Sequence, residues 1–257
     1  MAASRWQTAI LDQVRSEGRA SIAALAARLN VSGETIRRHV RPLVEDGLLT
    51  RLHGAVELAE GDGEPPFSRR MGERAEAKRA IARAAAELVP DGASVMIDTG
   101  STTAYVAAAL ARRRGLTVVT NSIEIARPLV GRGGHRVYIA GGEIRPDLSA
   151  VVDPGALAFV GQFRVDLAIL SIGAIDGAHG CMDYHLDEAR LARAMIDGAG
   201  RVMVVADAAK FEARAAVPVC RLNELDLLVT DRPPLPRLAA ALRAGAAQVV
   251  VACPGEN

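Results

Sequence analysis

Six consecutive residues, Asp98–Thr103, combine groups that can bind a phosphate. They follow the apolar run ASVMI and begin a stretch with helical spacing. Gly100 permits a tight turn, after which successive backbone N–H groups converge at the helix N-terminus. Ser101, Thr102 and Thr103 add hydroxyl donors. The segment therefore predicts an anion site, although plain helix capping by Ser101 or Thr102 explains such a stretch about as well.

Polar and glycine residues also follow other apolar runs of the chain. Asn121 and Ser122 end the run LTVVTN, where the alternative to ligand binding is another helix cap. Gly141 and Gly142 end HRVYIAGG, where glycines permit a close backbone approach or simply a turn. Lys210 comes just after RVMVVAD and could neutralise a bound anion, or lie on the surface as an ordinary lysine. We predict that these residues bind a ligand together with the Asp98–Thr103 segment.

The order of apolar and helical segments predicts the fold that positions these residues. Near-continuous apolar runs separated by helical segments are typical of a mostly parallel α/β sheet covered on both faces. Ligands of such sheets bind at the carboxyl ends of the strands, where the polar residues fall. The predicted strands are ASVMID, LTVVTN, HRVYIAGG, VDLAILSIGAID, RVMVVAD and LDLLVTD, and the helices lie in GERAEAKRAIARAAAELV, STTAYVAAALARRR, SIEIARPLVG and LDEARLARAMIDGA.

A different pattern begins at Ala20, with two short helical stretches around a tight turn and then the hairpin-like LLTRLHGAVEL. Ser32 is the expected N-cap of the second helix, which starts near Gly33, and Thr35 lies three residues further on. One face of this helix is apolar and should pack on the first helix. The residues expected to meet there are Ile22, Leu25, Leu29, Ile36, Val40, Leu43 and Val44.

The opposite face of the second helix is basic. Arginine suits DNA because its planar guanidinium can pair with guanine or clamp a phosphate. Residues at the hairpin tip would lie beside the DNA backbone or in the minor groove. The alternative is a solvated helix face in which Glu34 and Arg38 form an i,i+4 pair. We predict binding of double-stranded DNA through Ser32, Thr35, Arg37, Arg38, Arg41, Arg51 and His53.

Pro42 lies inside the second helix. Proline lacks a backbone N–H, and its ring clashes with the carbonyl four residues earlier, here that of Arg38. We therefore expect a kink or an early end of the helix at this point. Arg41 is the arginine whose DNA contact depends most on that outcome.

Composition indicates one small and one larger domain. The chain has 257 residues, 50% of them hydrophobic, and a net charge of only +1, so nucleic-acid affinity must come from a local patch. We predict a DNA-binding domain at 1–58, a Gly/Pro-containing linker at 59–66 and an effector-sensing domain at 67–257. Three distant cysteines predict neither a disulfide framework nor a zinc cluster. No long apolar run or secretory signal is evident, so we expect a cytoplasmic protein without a membrane partner.

The residues TIRR followed by RLHGAV resemble the DeoR family of bacterial transcriptional regulators. The resemblance implies an N-terminal winged helix-turn-helix and a C-terminal, mostly parallel α/β sensor domain similar to ribose-5-phosphate isomerase. It also implies that Asp98–Thr103, Thr120–Ser122 and Lys210 line a pocket for a phosphorylated metabolite. We expect a repressor that is relieved when this pocket is filled, with no cofactor and no catalytic residue.

Several further stretches are similar to the branch of the family that represses glycerol-3-phosphate genes: IAGGEIR, VGQFRVDLAILSIGAIDGAHGCMDYHLDEARLARAMI, VMVVADAAKF and VTDRPP. This likeness implies glycerol-3-phosphate as the favoured effector. Arg145 could pair with the phosphate, although an exposed loop arginine is equally consistent with its position. A single helix-turn-helix reads too little DNA for strong specificity, so we expect a homo-oligomer, either a dimer or a tetramer.

Two other classes of function fit parts of the chain. A sugar-phosphate isomerase needs a positioned carboxylate, and Asp176 or Glu188 could serve. The glycine-rich loop with its own lysine that is typical of such isomerases does not occur in GAHGCMDYHLD. A metal sensor could use His179, Cys181, Asp183 and His185, although an alternating polar loop explains these residues more economically.

Overall fold

The computed structural model of this protein describes residues 5–17, 19–45, 48–58, 65 and 67–252. The chain forms two compact units that divide between Arg70 and Met71. Of the predicted linker 59–66, all but residue 65 lies outside the described residues. Within the ranges given above, no helix is both long and apolar enough to cross a membrane.

The first unit is a small helical bundle with a three-stranded antiparallel sheet. The strand order is β1-β3-β2. Val56 lies in the central strand and pairs with Ala20 on one side and with Arg51 on the other. The elements are α1 (Arg5–Glu17), β1 (Arg19–Ser21), α2 (Ile22–Leu29), α3 (Gly33–Glu45), β2 (Leu49–Leu52) and β3 (Ala55–Leu58), and α4 (Phe67–Gly72) is the helix in which the division between the units falls.

The core of the first unit confirms the predicted packing of α2 on α3. Leu25, Ile36, Val40 and Leu43 are buried in one cluster, and Ile22, Leu29 and Val44 pack against it half-buried. Ser32 is the predicted cap, since its Oγ accepts a hydrogen bond from the N–H of Thr35 at 3.2 Å. The helix-turn-helix and the hairpin therefore form as the sequence indicates.

The expectation of an early helix end at Pro42 is wrong. Helix α3 continues through Pro42 to Glu45. Proline removes one hydrogen bond to the carbonyl of Arg38, but Pro42 lies in the last turn and few helical bonds remain to be lost. Burial of Leu43 in the core holds the last turn against α2 and the sheet. Arg41 therefore stays on the same helix as Arg37 and Arg38.

The second unit is built on a seven-stranded parallel sheet with the order β13-β12-β10-β7-β4-β5-β6. Its elements are α5 (Ala75–Glu87), β4 (Ser94–Ile97), α6 (Ser101–Leu110), β5 (Thr117–Thr120), α7 (Ile123–Ala126), β6 (Arg136–Ile139), α8 (Pro154–Val160), β7 (Val165–Leu170), β8 (Ala174–Asp176), β9 (Gly180–Asp183), α9 (Leu186–Asp197), β10 (Ala199–Val205), β11 (Val217–Cys220), β12 (Leu227–Thr230), α10 (Pro236–Ala244) and β13 (Gln248–Val251).

This sheet confirms the predicted α/β fold. Val95, Met96 and Ile97 of β4 are all fully buried, and because consecutive strand residues point to opposite faces, the sheet is covered on both. The predicted single strand VDLAILSIGAID is wrong in one respect. It divides into β7, in the parallel sheet, and β8, in a separate antiparallel sheet of order β11-β9-β8. Strands β9, β11 and β13 were not predicted.

The chain reverses its direction of travel across the sheet at β4. Strands β5 and β6 follow on one side, and β7, β10, β12 and β13 follow on the other. The crevice outside the carboxyl ends of β4 and β7 is therefore a topological switch point. In open α/β sheets this is the place where ligands bind.

Candidate functional site

The basic face of α3 carries three exposed arginines that differ in their partners. Arg37 Nη1 lies 3.2 Å from Glu34 Oε2, and Arg41 Nε lies 2.8 Å from Glu45 Oε1. The alternative pairing of Glu34 with Arg38 is wrong, because Glu34 takes Arg37. Arg38 has no hydrogen bond or ion pair to any residue that the structure describes.

Exposed ion pairs such as these contribute little to stability, so phosphates can replace the acidic partners at small cost. Arg38 has no acidic partner among the described residues, so a phosphate or a base edge would replace nothing there. Arg51, in β2, and His53, in the turn between β2 and β3, are both exposed at the tip of the hairpin. The basic face of α3 and the hairpin tip thus present hydrogen-bond donors that are exposed to solvent. Ser32 and Thr35 are tied to each other at the start of α3.

In the second unit, parallel pairing brings the predicted effector residues to one edge of the sheet. Asp98, Asn121, Gly141 and Lys210 follow β4, β5, β6 and β10 within a few residues, and these strands share one direction. A narrow recess lies at this edge. Its lining is Asp98, Thr99, Asn121, Val152, Asp183, Glu188, Leu191 and Ala192.

Asp98 is a strongly perturbed carboxyl group of the recess. Only 6% of the residue is exposed, and both carboxylate oxygens accept the N–H of Ser171 at 3.0 Å. Burial raises the pKa of Asp98 well above its ordinary value, the Ser171 N–H lowers it in part, and the charges of Asp183 and Glu188 raise it further. Perturbed carboxyl groups of this kind cluster at functional sites.

Gly100 is required by a close contact and not, as expected from the sequence, by a tight turn. Its φ of 177° is extended backbone that other residues adopt. A Cβ at this position would lie 1.8 Å from Oγ and 2.7 Å from Cβ of Ser171. Gly100 therefore lets the loop after β4 approach the end of β7 at the switch point.

The three hydroxyl groups after Gly100 have different roles. Thr103 is fully buried, and its Oγ1 donates to the carbonyls of Asp98 at 3.1 Å and Gly100 at 3.0 Å. Thr103 thus holds the loop and has no hydroxyl proton to spare. Ser101 and Thr102 form no hydrogen bond through their side chains within the described part of the chain. Gly100 is the N-cap of α6 without a side-chain cap, so the capping alternative for Ser101 and Thr102 is wrong.

Asn121 presents an unused acceptor to the recess. Its Nδ2 donates to the carbonyl of Val151 at 2.9 Å, while its buried Oδ1 lacks a partner in the described residues. Ser122 is fully buried and its Oγ donates to the carbonyl of Ser149 at 3.3 Å. Ser122 is the N-cap residue of α7, as the capping alternative expects, and its carbonyl accepts the N–H of Ala126 at 3.1 Å, but its side chain forms no capping hydrogen bond.

The remaining predicted effector residues lie away from the lining of the recess. Gly142 has a φ of +147°, and a Cβ there would lie 2.5 Å from Asp153 Oδ2, whereas Gly141 is exposed with open space around it. Lys210 ends the 3₁₀ turn Ala208–Lys210 after β10. The structure brings Asp98 and Asn121 together, but Gly141, Gly142 and Lys210 do not line the recess.

The carboxylates considered for other chemistry are divided between two places. Glu188 lines the recess, whereas Asp176 does not. Asp176 Oδ2 lies 2.8 Å from His179 Nδ1. Burial raises the pKa of Asp176, but hydrogen bonds from the His179 ring and from the N–H groups of His179 and Ala178 outweigh burial and lower it to about 2. No three His, Cys, Asp or Glu residues of the described ranges are grouped so as to hold a metal ion.

One residue of the site was missed from the sequence. Ser171 donates its N–H to Asp98 and its Oγ to the carbonyl of Thr99 at 3.3 Å. The only signal in the sequence was a single polar residue within the apolar run LAILSIGAI. Such a residue is compatible with many strand environments, so its partner depends on the tertiary structure.

Both units match known domains. Residues 7–61 match the DeoR-like helix-turn-helix domain, and residues 73–232 match the DeoR C terminal sensor domain. Among solved structures, the chain is similar to ribose 5-phosphate isomerase A from Methanocaldococcus jannaschii, with 17% identity, a TM-score of 0.39 and coverage of 52% of this chain and 53% of that one.

Curated relatives cover almost the whole chain. The HTH-type transcriptional repressor CsqR of Escherichia coli is 34% identical over 96% of this chain and 94% of its own length. The glycerol-3-phosphate regulon repressor of the same organism is 35% identical over 88% of this chain and 89% of its own length. With both domains matched and relatives of this identity over most of its length, the chain belongs to the DeoR family of transcriptional regulators.

Proposed function

We propose that this regulator is a repressor whose affinity for operator DNA is lowered when it binds a phosphorylated polyol or sugar. Glycerol-3-phosphate is the favoured effector. The observation that carries the proposal is the recess at the carboxyl edge of the sheet, with Asp98 and Asn121 in its lining. Two relatives from different organisms, Escherichia coli and Haemophilus influenzae, are named glycerol-3-phosphate regulon repressors, at 35% and 34% identity.

The lining of the recess favours hydroxyl groups over a phosphate. Asn121 Oδ1 is an acceptor without a partner among described residues, and Asp98, Asp183 and Glu188 add carboxyl oxygens. Acceptors of this kind pair with the hydroxyl protons of a polyol, whereas the same carboxylates would repel a phosphate. The recess holds only about 10 Å³, so the polyol end of the effector is proposed to bind at its mouth.

The phosphate end is proposed to lie beside the recess, at the start of α6. The first amides of a helix lack an intrahelical acceptor, and the helix dipole favours an anion there. Ser101 and Thr102 add hydroxyl donors that no described residue occupies. Arg145 is a candidate cation together with Lys210. Its guanidinium pairs with Asp147, which an effector phosphate would have to replace.

DNA binding is proposed to use the basic face of α3 with Arg51 and His53 at the hairpin tip. Base contacts from Arg38 and phosphate contacts from Arg37 and Arg41 match the exposure and pairing of these side chains. One helix-turn-helix reads about half of a typical operator, so a homo-oligomer, dimer or tetramer, is proposed as the binding form.

A thermal-shift series on the full chain tests the effector assignment. Glycerol-3-phosphate should raise the melting temperature, because a ligand of the folded state stabilises it by about 3 kcal/mol at a hundred times its Kd. Glycerol and inorganic phosphate, tested separately, should give much smaller shifts. The assignment fails if DNA selected by the protein from random duplexes is released by another phosphate ester but not by glycerol-3-phosphate.

The isomerase alternative is supported by the carboxylates of the recess but not by the relatives, which are named as repressors. Fold likeness alone does not carry chemistry. An assay of isomerase activity on the same protein preparation distinguishes the two functions. Conversion of an aldose phosphate to a ketose phosphate that is abolished in Glu188→Gln would replace the regulator proposal with an enzyme.

A further inference from the structure

The sensor unit begins with Met71–Arg74, called here the connecting segment. These residues lie directly after the division between the two units and directly before α5. Two side-chain contacts hold the segment within the sensor unit. Tyr105 Oη donates to the carbonyl oxygen of Met71 at 3.0 Å, and Arg74 Nε lies 3.0 Å from Asp207 Oδ1.

Each contact comes from an element that carries proposed effector residues. Tyr105 lies on α6, about one helical turn after Ser101 and Thr102. Asp207 begins the 3₁₀ turn that ends at Lys210, and its Oδ1 also accepts the N–H of Ala209 at 3.0 Å. The connecting segment is therefore bound to α6 and to the turn after β10, each of which carries a proposed effector residue.

The contact with Asp207 is sensitive to displacement. Only 2% of the Asp207 side chain is exposed, so removal of Arg74 would take the cation from a buried carboxylate that keeps the N–H of Ala209 as a donor. Arg74 itself has a φ of 50° and a ψ of 38°, the left-handed region that carries a steric cost for a residue with a Cβ. Such a conformation persists only where surrounding contacts hold it. A shift of α6 or of the turn that carries Asp207 thus changes the contacts that hold the connecting segment and keep Arg74 in this conformation.

We propose that the connecting segment transmits the effect of effector binding from α6 and the turn after β10 to the chain that leads to the DNA-binding unit. Arg74 and Tyr105 are its positioning residues. The inference rests on the proposed function. An effector that engages Ser101, Thr102 or Lys210 moves the elements to which the segment is bound. The difference in contacts between the filled and empty sensor then supplies the coupling between the two sites.

Three variants of the full chain separate coupling from folding. Arg74→Gly removes the side chain and suits the left-handed backbone, a gain that offsets part of the stability lost with the Asp207 ion pair. Tyr105→Phe removes only the hydroxyl that bonds Met71. The control, Arg113→Ala, removes an ion pair at 2.9 Å with Glu87 and a hydrogen bond at 3.0 Å to the carbonyl of Ala86, both at the far end of α5.

Fluorescence anisotropy would measure binding to DNA selected by the wild-type protein from random duplexes, with and without glycerol-3-phosphate. Calorimetry would measure ligand affinity. We expect wild type and Arg113→Ala to change DNA affinity on the order of tenfold on adding the ligand. Arg74→Gly and Tyr105→Phe should keep ligand and DNA affinities within about threefold of wild type while losing most of that change. Variants that respond as the wild type does overturn the inference and leave the proposed function intact.

If wild-type DNA binding ignores glycerol-3-phosphate and every other phosphate ester, the proposed function fails, and hydrogen exchange without ligand then decides the inference. We expect faster exchange of amides 207–211 in Arg74→Gly and of amides 101–106 in Tyr105→Phe. Unchanged exchange in both variants would show that the connecting segment is not held by these loops.

Discussion

Asp98 and Ser171 join two strand ends that are 73 residues apart in the chain, through an N–H that bonds both carboxylate oxygens at 3.0 Å. The bond crosses the switch point between β4 and β7, beside the recess. It fixes a buried carboxyl group whose ionisation the surroundings oppose. The position of Asp98 therefore costs stability, as is common for groups at functional sites.

Asp98→Asn should stabilise the sensor unit at pH 7 by about 1 kcal/mol while abolishing the response to effector. The raised pKa sets the sign. The contribution of Asp98 to stability is fully present below its ordinary pKa, near 4, and is lost as pH rises through the raised value. Denaturant unfolding should show the gap between variant and wild type widening from pH 4 to pH 8.

Asp166→Asn is the matched control for Asp98→Asn, with the opposite sign. Hydrogen bonds from the backbone N–H and hydroxyl of Ser94 lower the pKa of the exposed Asp166. Its contribution is present above the ordinary pKa and is lost as pH falls through the lowered value. The variant should therefore be less stable than wild type at pH 7. A loss of stability in Asp98→Asn at pH 7 would refute our account of the recess.

Gly100→Ala should destabilise the sensor unit by about 1–3 kcal/mol, because the new Cβ would overlap the side chain of Ser171. The backbone of Gly100 is not strained, so removal of the obstacle should restore stability. We expect the double variant Gly100→Ala, Ser171→Gly to recover most of the loss in urea unfolding. No recovery would mean that the loop needs glycine for another reason.

Thr103→Val should cost about 1–2 kcal/mol of unfolding free energy, since the carbonyl of Asp98 loses its hydroxyl donor while that of Gly100 keeps the N–H of Ala104. Ser101→Ala and Thr102→Val should change stability little, because those hydroxyls bond no described residue, but should weaken glycerol-3-phosphate binding in calorimetry. If Ser101→Ala and Thr102→Val bind the ligand as tightly as wild type, the phosphate does not lie at the start of α6.

Arg38→Ala should lower the free energy of binding to selected DNA by about 1–3 kcal/mol without changing thermal stability. Its side chain is exposed and unpaired among described residues, so the folded unit loses nothing when it is removed. Arg28→Ala is the control, since Arg28 is an exposed arginine of α2, 3.4 Å from Glu17. Equal effects of the two variants would indicate a general charge effect and not a reading helix.

Local pattern predicted much of the fold and the location of the site. Alternating apolar and helical segments gave the parallel sheet, and the direction of parallel strands placed Asp98 and Asn121 at one edge before any contact was known. The apolar face of α3 and the Ser32 cap followed from helical period and from neighbours three residues apart. Both kinds of inference succeed because they depend on residues close in the chain or on a fixed topology rule.

The sequence by itself determined the two-part organisation, the family and the polar residues at the strand ends. Only the tertiary structure decided that the Thr103 hydroxyl bonds the loop while those of Ser101 and Thr102 bond no described residue. It also decided that the side chain of Ser171 excludes a Cβ at Gly100 and that Arg74 pairs with Asp207. These outcomes depend on hydrogen bonds and steric contacts between segments far apart in the chain. Residue type limits which bonds a side chain can form, but the packed backbone determines which partner lies within reach.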